Sequence, residues 1–393
     1  MIHIMPELFE LYEIERFLPL PYEAALGPRL KRAQDRLQRG GPCLDWVRLP
    51  EEGAAVLRLH ALAESVRAQG RTLLAVEDGG LREGVRGVAG CLGGETERIC
   101  FLSSLPSTEE LRRALELAAH GEVLLCAAGG GEGLAFRILR RALEERYGAQ
   151  AERYILHGGD PGARHSGGFA LLSAQGLLLL AACGVDVGAL LAGASEIRQR
   201  CAAASFENPA WRYAAVRRQL GRAGFTVELL CGWDPRLHPL LEWAKGLGGG
   251  ALLSAAVDCS REIRSLDRCV LEGPRCFFET VVRLEPEAGD PLPRHLREAA
   301  VEGALRGHTA AGVPNLILRP GGREARTLGK LLYFFQYAGA LSALMGDKDP
   351  FACPAEEDGE PSGLWAGSRD WSREVPAEPA AASPSWYAGA GIV

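Results

Sequence analysis

Short apolar runs alternate with amphipathic stretches along most of the chain. That is the pattern of parallel strands joined by helices. Residues 72–76 (TLLAV), 98–102 (RICFL), 123–127 (VLLCA) and 154–157 (YILH) read as strands. Residues 108–120 predict a helix that Ser107 can cap, with Glu109 and Glu110 at its positive end. Residues 132–147 predict another helix, with Leu134, Ile138, Leu139 and Leu143 on one face.

The second half repeats the logic. Residues 208–224 read as a helix with Pro209 in its first turn, followed by a strand at 226–231 and a helix at 237–246. Residues 251–257 and 277–284 are β-rich, and 313–318 precede a long amphipathic helix at 327–345. Two similar α/β lobes are expected. Beyond Pro354 the chain is rich in Ala, Pro, Ser, Gly and Glu and lacks helical periodicity, which predicts a disordered tail. Trp365, Trp371 and Trp386 in that tail either dock on a partner or are incidental. The expected organisation is an N-terminal helical segment (1–50), a first α/β domain (51–200), a second (201–353) and the tail (354–393).

Composition narrows the class. At ~150 residues per domain, 393 residues suggest two or three units. A hydrophobic fraction of 47% with 24% charged residues excludes a mainly disordered, collagen-like or coiled-coil chain. The net charge of −6 lacks the basic excess of a nucleic-acid binder. The eleven cysteines form no C-x-x-C pair and none stands at zinc-finger spacing from a histidine, so they read as small buried hydrophobes with no metal site. The N-terminus lacks a basic start and apolar block, and the apolar stretch 176–187 is shorter than the ~20 residues that span a bilayer. The expectation is a cytoplasmic protein with reduced thiols and no membrane partner.

Several segments, in order, resemble the bacterial type of glucose-6-phosphate isomerase. Residues 260–284, SREIRSLDRCVLEGPRCFFETVVRL, match the family's Ser-Leu turn and Phe-Glu-Thr-Val strand. Residues 312–354 carry GVPNLILRP, a Thr-Leu-Gly helix with paired Phe, and DPFACP. Residues 134–148 and 167–193, and the shorter runs 44–50 (LDWVRLP), 208–217 and 234–243 (DPRLHPLLEW), extend the likeness. The resemblance implies two sugar-isomerase (SIS) domains, each a parallel sheet flanked by helices. It implies conversion of glucose 6-phosphate to fructose 6-phosphate without a cofactor, as in glycolysis and gluconeogenesis. It also implies a dimer whose sites are completed across the subunit boundary.

An aldose–ketose isomerase must hold a phosphate dianion, open the ring, move a proton and stabilise an enediolate. These tasks need helix-start N–H groups with hydroxyls, an acid–base group, a carboxylate and a cation. Where the family has a Gly-Ile-Gly-Gly-Ser turn, this chain reads Glu77, Asp78, Gly79, Gly80, Leu81. Two carboxylates there repel a dianion and occupy the helix-start N–H groups themselves. In place of the family's Ser-Lys-Ser-Gly-Thr-Thr loop stands Cys126, Ala127, Ala128, Gly129, Gly130, Gly131, Glu132, without hydroxyl or lysine. That glycine run either offers N–H groups to an anion or serves as a permissive turn.

Gly168 falls on the family's catalytic arginine, with Arg164 nearby. The helix bearing Glu242 runs into Leu247, Gly248, Gly249 and Gly250, where the family's base has no counterpart. Arg264 falls on the ring-opening histidine, and a guanidinium stays protonated near neutral pH. The family's C-terminal lysine has no match, since Lys348 lies too early. His308 and His238 read as structural, while His157 and His165 flank a shortened loop.

The expectation is therefore a catalytically degenerate homologue, a pseudoenzyme with a binding or structural role. The alternatives are an active isomerase with relocated groups and a sugar-phosphate sensor. Relocated catalysis would draw on Arg264, His165 and Glu132, with Glu77 and Asp78 beside them. Gly79, Gly80, Gly129, Gly130 and Gly131 are the candidate substrate-binding positions. The implied partners are a sugar phosphate and either a second copy of this chain or a related isomerase.

Overall fold

The computed structural model describes residues 8–18, 22–40, 44–48, 53–77, 80–103, 106–128, 134–156, 167–248, 252–285 and 294–351. The expected tail with its three tryptophans lies outside the described residues.

Strand β1 (Phe9–Tyr12) and helices α1 (Tyr22–Arg39), α2 (Asp45–Arg48) and α3 (Gly53–Ala68) come first. The first sheet follows: β2 (Thr72–Glu77), α4 (Leu81–Leu92), β3 (Ile99–Ser103), α5 (Thr108–His120), β4 (Val123–Ala128), α6 (Leu134–Tyr147) and β5 (Ile155–Leu156). Its four strands are parallel in the order β3-β2-β4-β5. The strands are continuous apolar runs because helices cover both faces. Leu73, Leu74, Ala75 and Val76 of β2 are all buried. Helix α5 starts where expected: Ser107 accepts from the Glu110 N–H while the Glu110 side chain accepts from the Ser107 N–H. Strand β5 is shorter than expected, because Tyr154 ends a 3-10 turn and stacks on Tyr147 at 3.9 Å between ring centroids.

Helices α7 (Ala174–Ala182), α8 (Val187–Cys201) and α9 (Pro209–Arg222) lead into the second sheet. Helix α7 is buried from Gly176 to Ala182, so the chain's longest apolar run belongs to the core. Among the described residues no helix is long and apolar enough to cross a membrane. Asn208 caps α9, accepting from the Ala210 and Trp211 N–H groups.

The second sheet comprises β6 (Val227–Gly232), α10 (His238–Lys245), β7 (Leu253–Asp258), α11 (Cys259–Glu272), β8 (Phe277–Leu284), α12 (Arg294–Ala310) and β9 (Asn315–Gly321), ahead of α13 (Ala325–Met345). Its strand order is β1-β9-β8-β6-β7, parallel except for β1, which pairs antiparallel with β9. The four parallel strands repeat the order of the first sheet, so the molecule holds two SIS-like subdomains. In each, the chain reverses direction across the sheet between two central strands: β2 and β4 in the first, β6 and β8 in the second.

Helix α13 differs from the amphipathic expectation. From Thr327 to Met345 every residue except Lys330 is buried. Two of its buried polar side chains donate to main-chain carbonyls: Gln336 to Phe169 and Ser342 to Ala338, while Gln336 Oε1 is buried without a partner. The helix lies directly against α8 at glycines. A Cβ on Gly329 would stand 1.8 Å from the Leu190 carbonyl oxygen, and one on Gly193 would stand 1.7 Å from that of Arg326.

Candidate functional site

Ligands of open parallel sheets sit outside the carboxyl ends of the strands, at the point where strand order reverses. In the first sheet that point is the end of β2 and the start of α4. Gly80 caps α4 with a φ of 81°, a conformation that suits glycine. Just before it, Glu77 ends β2 only 5% exposed. The Arg82 main-chain N–H donates to Glu77 Oε2 at 3.0 Å, and the Leu81 N–H also supports the carboxylate. The side chain thus occupies the positive end of α4, where an anionic ligand would otherwise meet free N–H groups. Burial pushes the Glu77 carboxyl above its usual range, against the lowering effect of the Arg82 hydrogen bond and charge.

Arg82 closes the network around it. Its guanidinium donates to Glu110 Oε1 and to the Phe101 carbonyl, both at 3.1 Å, and lies 3.9 Å from Glu77 Oε1. Glu110 in turn belongs to the α5 cap. Strand and helix ends are tied together by side chains of this chain alone.

At the end of β4, Cys126 is fully buried and its thiol is pushed up to about 12 by burial, so it stays an unreactive thiol. Six of the nine described cysteines are buried, and Cys269 is exposed. Asp78, Gly79, Gly129, Gly130, Gly131, Glu132, His157, Arg164 and His165 lie outside the described residues. Arg264 falls in the second turn of α11, and its side chain lies outside the description. Gly80 is the one candidate binding position described.

Gly168 leads into the buried stretch that faces α10 and α13. Its carbonyl accepts from Trp243 Nε1 at 2.8 Å and from Gln336 Nε2 at 3.3 Å. The direction in which a side chain would leave residue 168 is filled: a Cβ there would lie 2.9 Å from Leu247 Cδ2 and 3.3 Å from Trp243 Nε1. Helix α10 ends at Lys245, and Leu247 then turns into the core. Glu242 pairs with Lys245 on the same helix.

His308 is held from both sides. Its Nδ1 lies 2.9 Å from Glu279 Oε2 and its Nε2 lies 3.0 Å from Asp267 Oδ1. Burial opposes its charge, but the hydrogen bonds and charges of Glu279 and Asp267 prevail and raise its pKa to about 9. The adjoining cavity, lined by Cys231 and Cys259, measures about 10 Å³, which leaves no room for a substrate. A second buried group joins Arg217 to Glu228 at 2.6 Å, with Tyr213 and Thr280 donating to the same carboxylate. Sequence reasoning had not singled out Glu228 or Glu279; a lone carboxylate inside an apolar strand run was the available signal. Among the described residues no three His, Cys, Asp or Glu side chains gather as a metal-binding group.

No protein-family model matches the chain. In sequence it is 27% identical to a glucose-6-phosphate isomerase of Leuconostoc mesenteroides, covering 89% of this chain and 93% of the relative. It is 28% identical to a glucose-6-phosphate isomerase of Symbiobacterium thermophilum, covering 86% and 91%. In structure it resembles a hypothetical protein of Thermus thermophilus with a TM-score of 0.73 and 18% identity, over 94% of this chain and all of the other. It also resembles a glucose-6-phosphate isomerase of Chlamydia trachomatis with a TM-score of 0.64 and 15% identity, over 88% and 79%. The chain is a divergent relative of the phosphosugar isomerases.

Proposed function

We propose that this chain is a catalytically degenerate relative of glucose-6-phosphate isomerase that acts by binding or assembly. The observation that carries this reading is Glu77: its carboxylate sits on the N–H groups at the start of α4, where a phosphate-holding turn would leave them open. A dianion entering there would meet a like charge. The filled space beside Gly168, and the fixing of Glu242 by Lys245, support the same reading. With base, ring-opening group and phosphate hydroxyls replaced together, the proton has no route between adjacent carbons. Gly80 then serves only as the glycine that the start of α4 requires. Burial of most described thiols fits a reducing, cytoplasmic setting. The resemblance extends the reading to assembly with a second copy of this chain or with a related isomerase subunit.

The test is a coupled assay of fructose 6-phosphate conversion on the purified chain, beside a genuine isomerase at equal concentration. The expected result is no turnover above the buffer rate. Turnover that an Arg264→Ala substitution abolishes would sink the reading in favour of relocated catalysis.

A further inference from the structure

The second sheet has a reversal point of its own, between β6 and β8, and there the side chains leave an open cleft of about 300 Å³. Its wall includes Trp233 and Asp234 after β6, Arg283 near the end of β8, Arg319 and Arg323 from the end of β9 and beyond, and Arg297 from α12. Four guanidinium groups thus converge on the carboxyl edge of a parallel sheet, where small-molecule sites of this architecture form.

Two of the arginines, Arg283 and Arg319, follow the Val282–Leu318 pair on neighbouring parallel strands, close enough for the charge of Arg319 to act on Arg283. The register then slips, so that Leu284 pairs with Gly321 and β9 carries one extra residue at the cleft. Bulges of this kind are common beside binding sites, where they re-aim a side chain. Like charges close together on adjacent strands are unfavourable. This pair therefore breaks a local rule at the place where a ligand would sit.

The counter-charges of these two arginines are loosely held. Arg319 pairs with Glu10 of β1 at 2.8 Å, but both side chains are more than a third exposed. Arg283 reaches Glu302 only at 3.5 Å, and Glu302 also accepts from the Tyr12 hydroxyl at 3.0 Å. Asp234, itself in the cleft wall, pairs with Arg323 at 2.8 Å and with Arg236 at 3.0 Å, so Arg323 already has its counter-charge. Glu285 and Glu298, both exposed, line the same cleft. Burial first, and then the charge of Arg319, lower the pKa of Arg283, while Glu302, Glu298 and Glu10 act to raise it. Exposed ion pairs contribute little, so an oxyanion can displace them at small cost.

We propose that this cleft binds the phosphate or carboxylate group of a small metabolite between Arg283 and Arg319, with Trp233 beside the rest of the ligand. The planar guanidinium forks suit bidentate capture of either oxyanion. The site is distinct from the closed end of α4, and it stands whether or not the chain turns over a sugar phosphate.

The experiment is calorimetric titration of the full chain with glucose 6-phosphate, citrate and inorganic phosphate. Glucose and sodium chloride at matched ionic strength serve as controls. The proposal expects at least one oxyanion to bind at one site per chain while glucose does not. Arg283→Met and Arg319→Met should each weaken that binding by about tenfold or more, as for loss of a charge-assisted hydrogen bond. The strongest of the three anions identifies the class. No binding beyond the salt control overturns the proposal, as does binding of equal strength in both variants. Should Arg283→Met fail to fold, Arg319→Met decides alone, because its pair with Glu10 is largely exposed.

Discussion

The main-chain N–H of Arg82 donates to Oε2 of Glu77 at 3.0 Å, so a side chain at the end of β2 caps the helix that follows it. The same carboxylate lies 3.9 Å from the Arg82 guanidinium, which continues to Glu110 and the cap of α5. An N–H group at the start of α4 is thus met by the chain's own carboxylate.

That contact carries a pH dependence. Burial raises the Glu77 pKa above its ordinary value of 4.5, so protonation favours the folded state. The stability this group contributes is full below its unfolded pKa and is lost as pH rises through the higher folded value. Glutamine accepts the same hydrogen bond without a charge. Glu77→Gln is expected to match or exceed the wild type in urea unfolding at pH 7.5, with the difference closing at pH 4. A loss of about 1 kcal/mol or more at pH 7.5 contradicts this, since it is the size of one net hydrogen bond.

Restoring an arginine at residue 168 is not expected to restore isomerisation. Leu247 Cδ2 lies 2.9 Å from where its Cβ would be. Gly168→Arg should lower stability by ~1–3 kcal/mol through overpacking and leave the coupled assay at the buffer rate. Measurable fructose 6-phosphate turnover by this variant would show that the arginine was the one missing part.

His308 stabilises the second subdomain while it is charged. Its pKa rises from 6.5 to about 9, so its contribution is complete below pH 6.5 and is lost as pH climbs through 9. His308→Gln should cost on the order of 3 kcal/mol at pH 6, from the size of that shift. The deficit should shrink between pH 8 and 10. Equal deficits at pH 6 and pH 10 would mean that the side chain acts through packing alone.

The crossing of α8 and α13 leaves no space for a methyl group. Gly329→Ala should lose about 3 kcal/mol or more, because the clash is with the backbone oxygen of Leu190. Gly303→Ala is the control: it lies exposed inside α12 with nothing within 4 Å of the added atom. It should gain about 0.5–1 kcal/mol from helix propensity. Thermal unfolding of the two variants side by side tests the contrast.

Elements governed by their own residues were readable from the chain. Helix α5 and strand β8 run over the expected residues, because Ser107 and Glu110 form a local capping box and FFETVVRL is β-branched and aromatic. Strand β1 carried no comparable signal. Its four residues are ordered by pairing with β9, some 300 positions away, where Phe9 lies opposite Leu318. The helices α11 and α12 were not read from the chain either, although α11 is strongly amphipathic.

The order of residues alone determined the alternation of strands and helices, the two-lobed plan, and the placing of carboxylates where a phosphate turn would be. Those features depend on neighbours within a few positions. Folding alone decided that Glu77 aims at α4, that Asp267, Glu279 and His308 meet, and that Arg283 and Arg319 come close on neighbouring strands. Such meetings depend on strand register and helix packing between distant segments, and charge interactions act through distance in space and loss of water, neither of which a linear pattern contains.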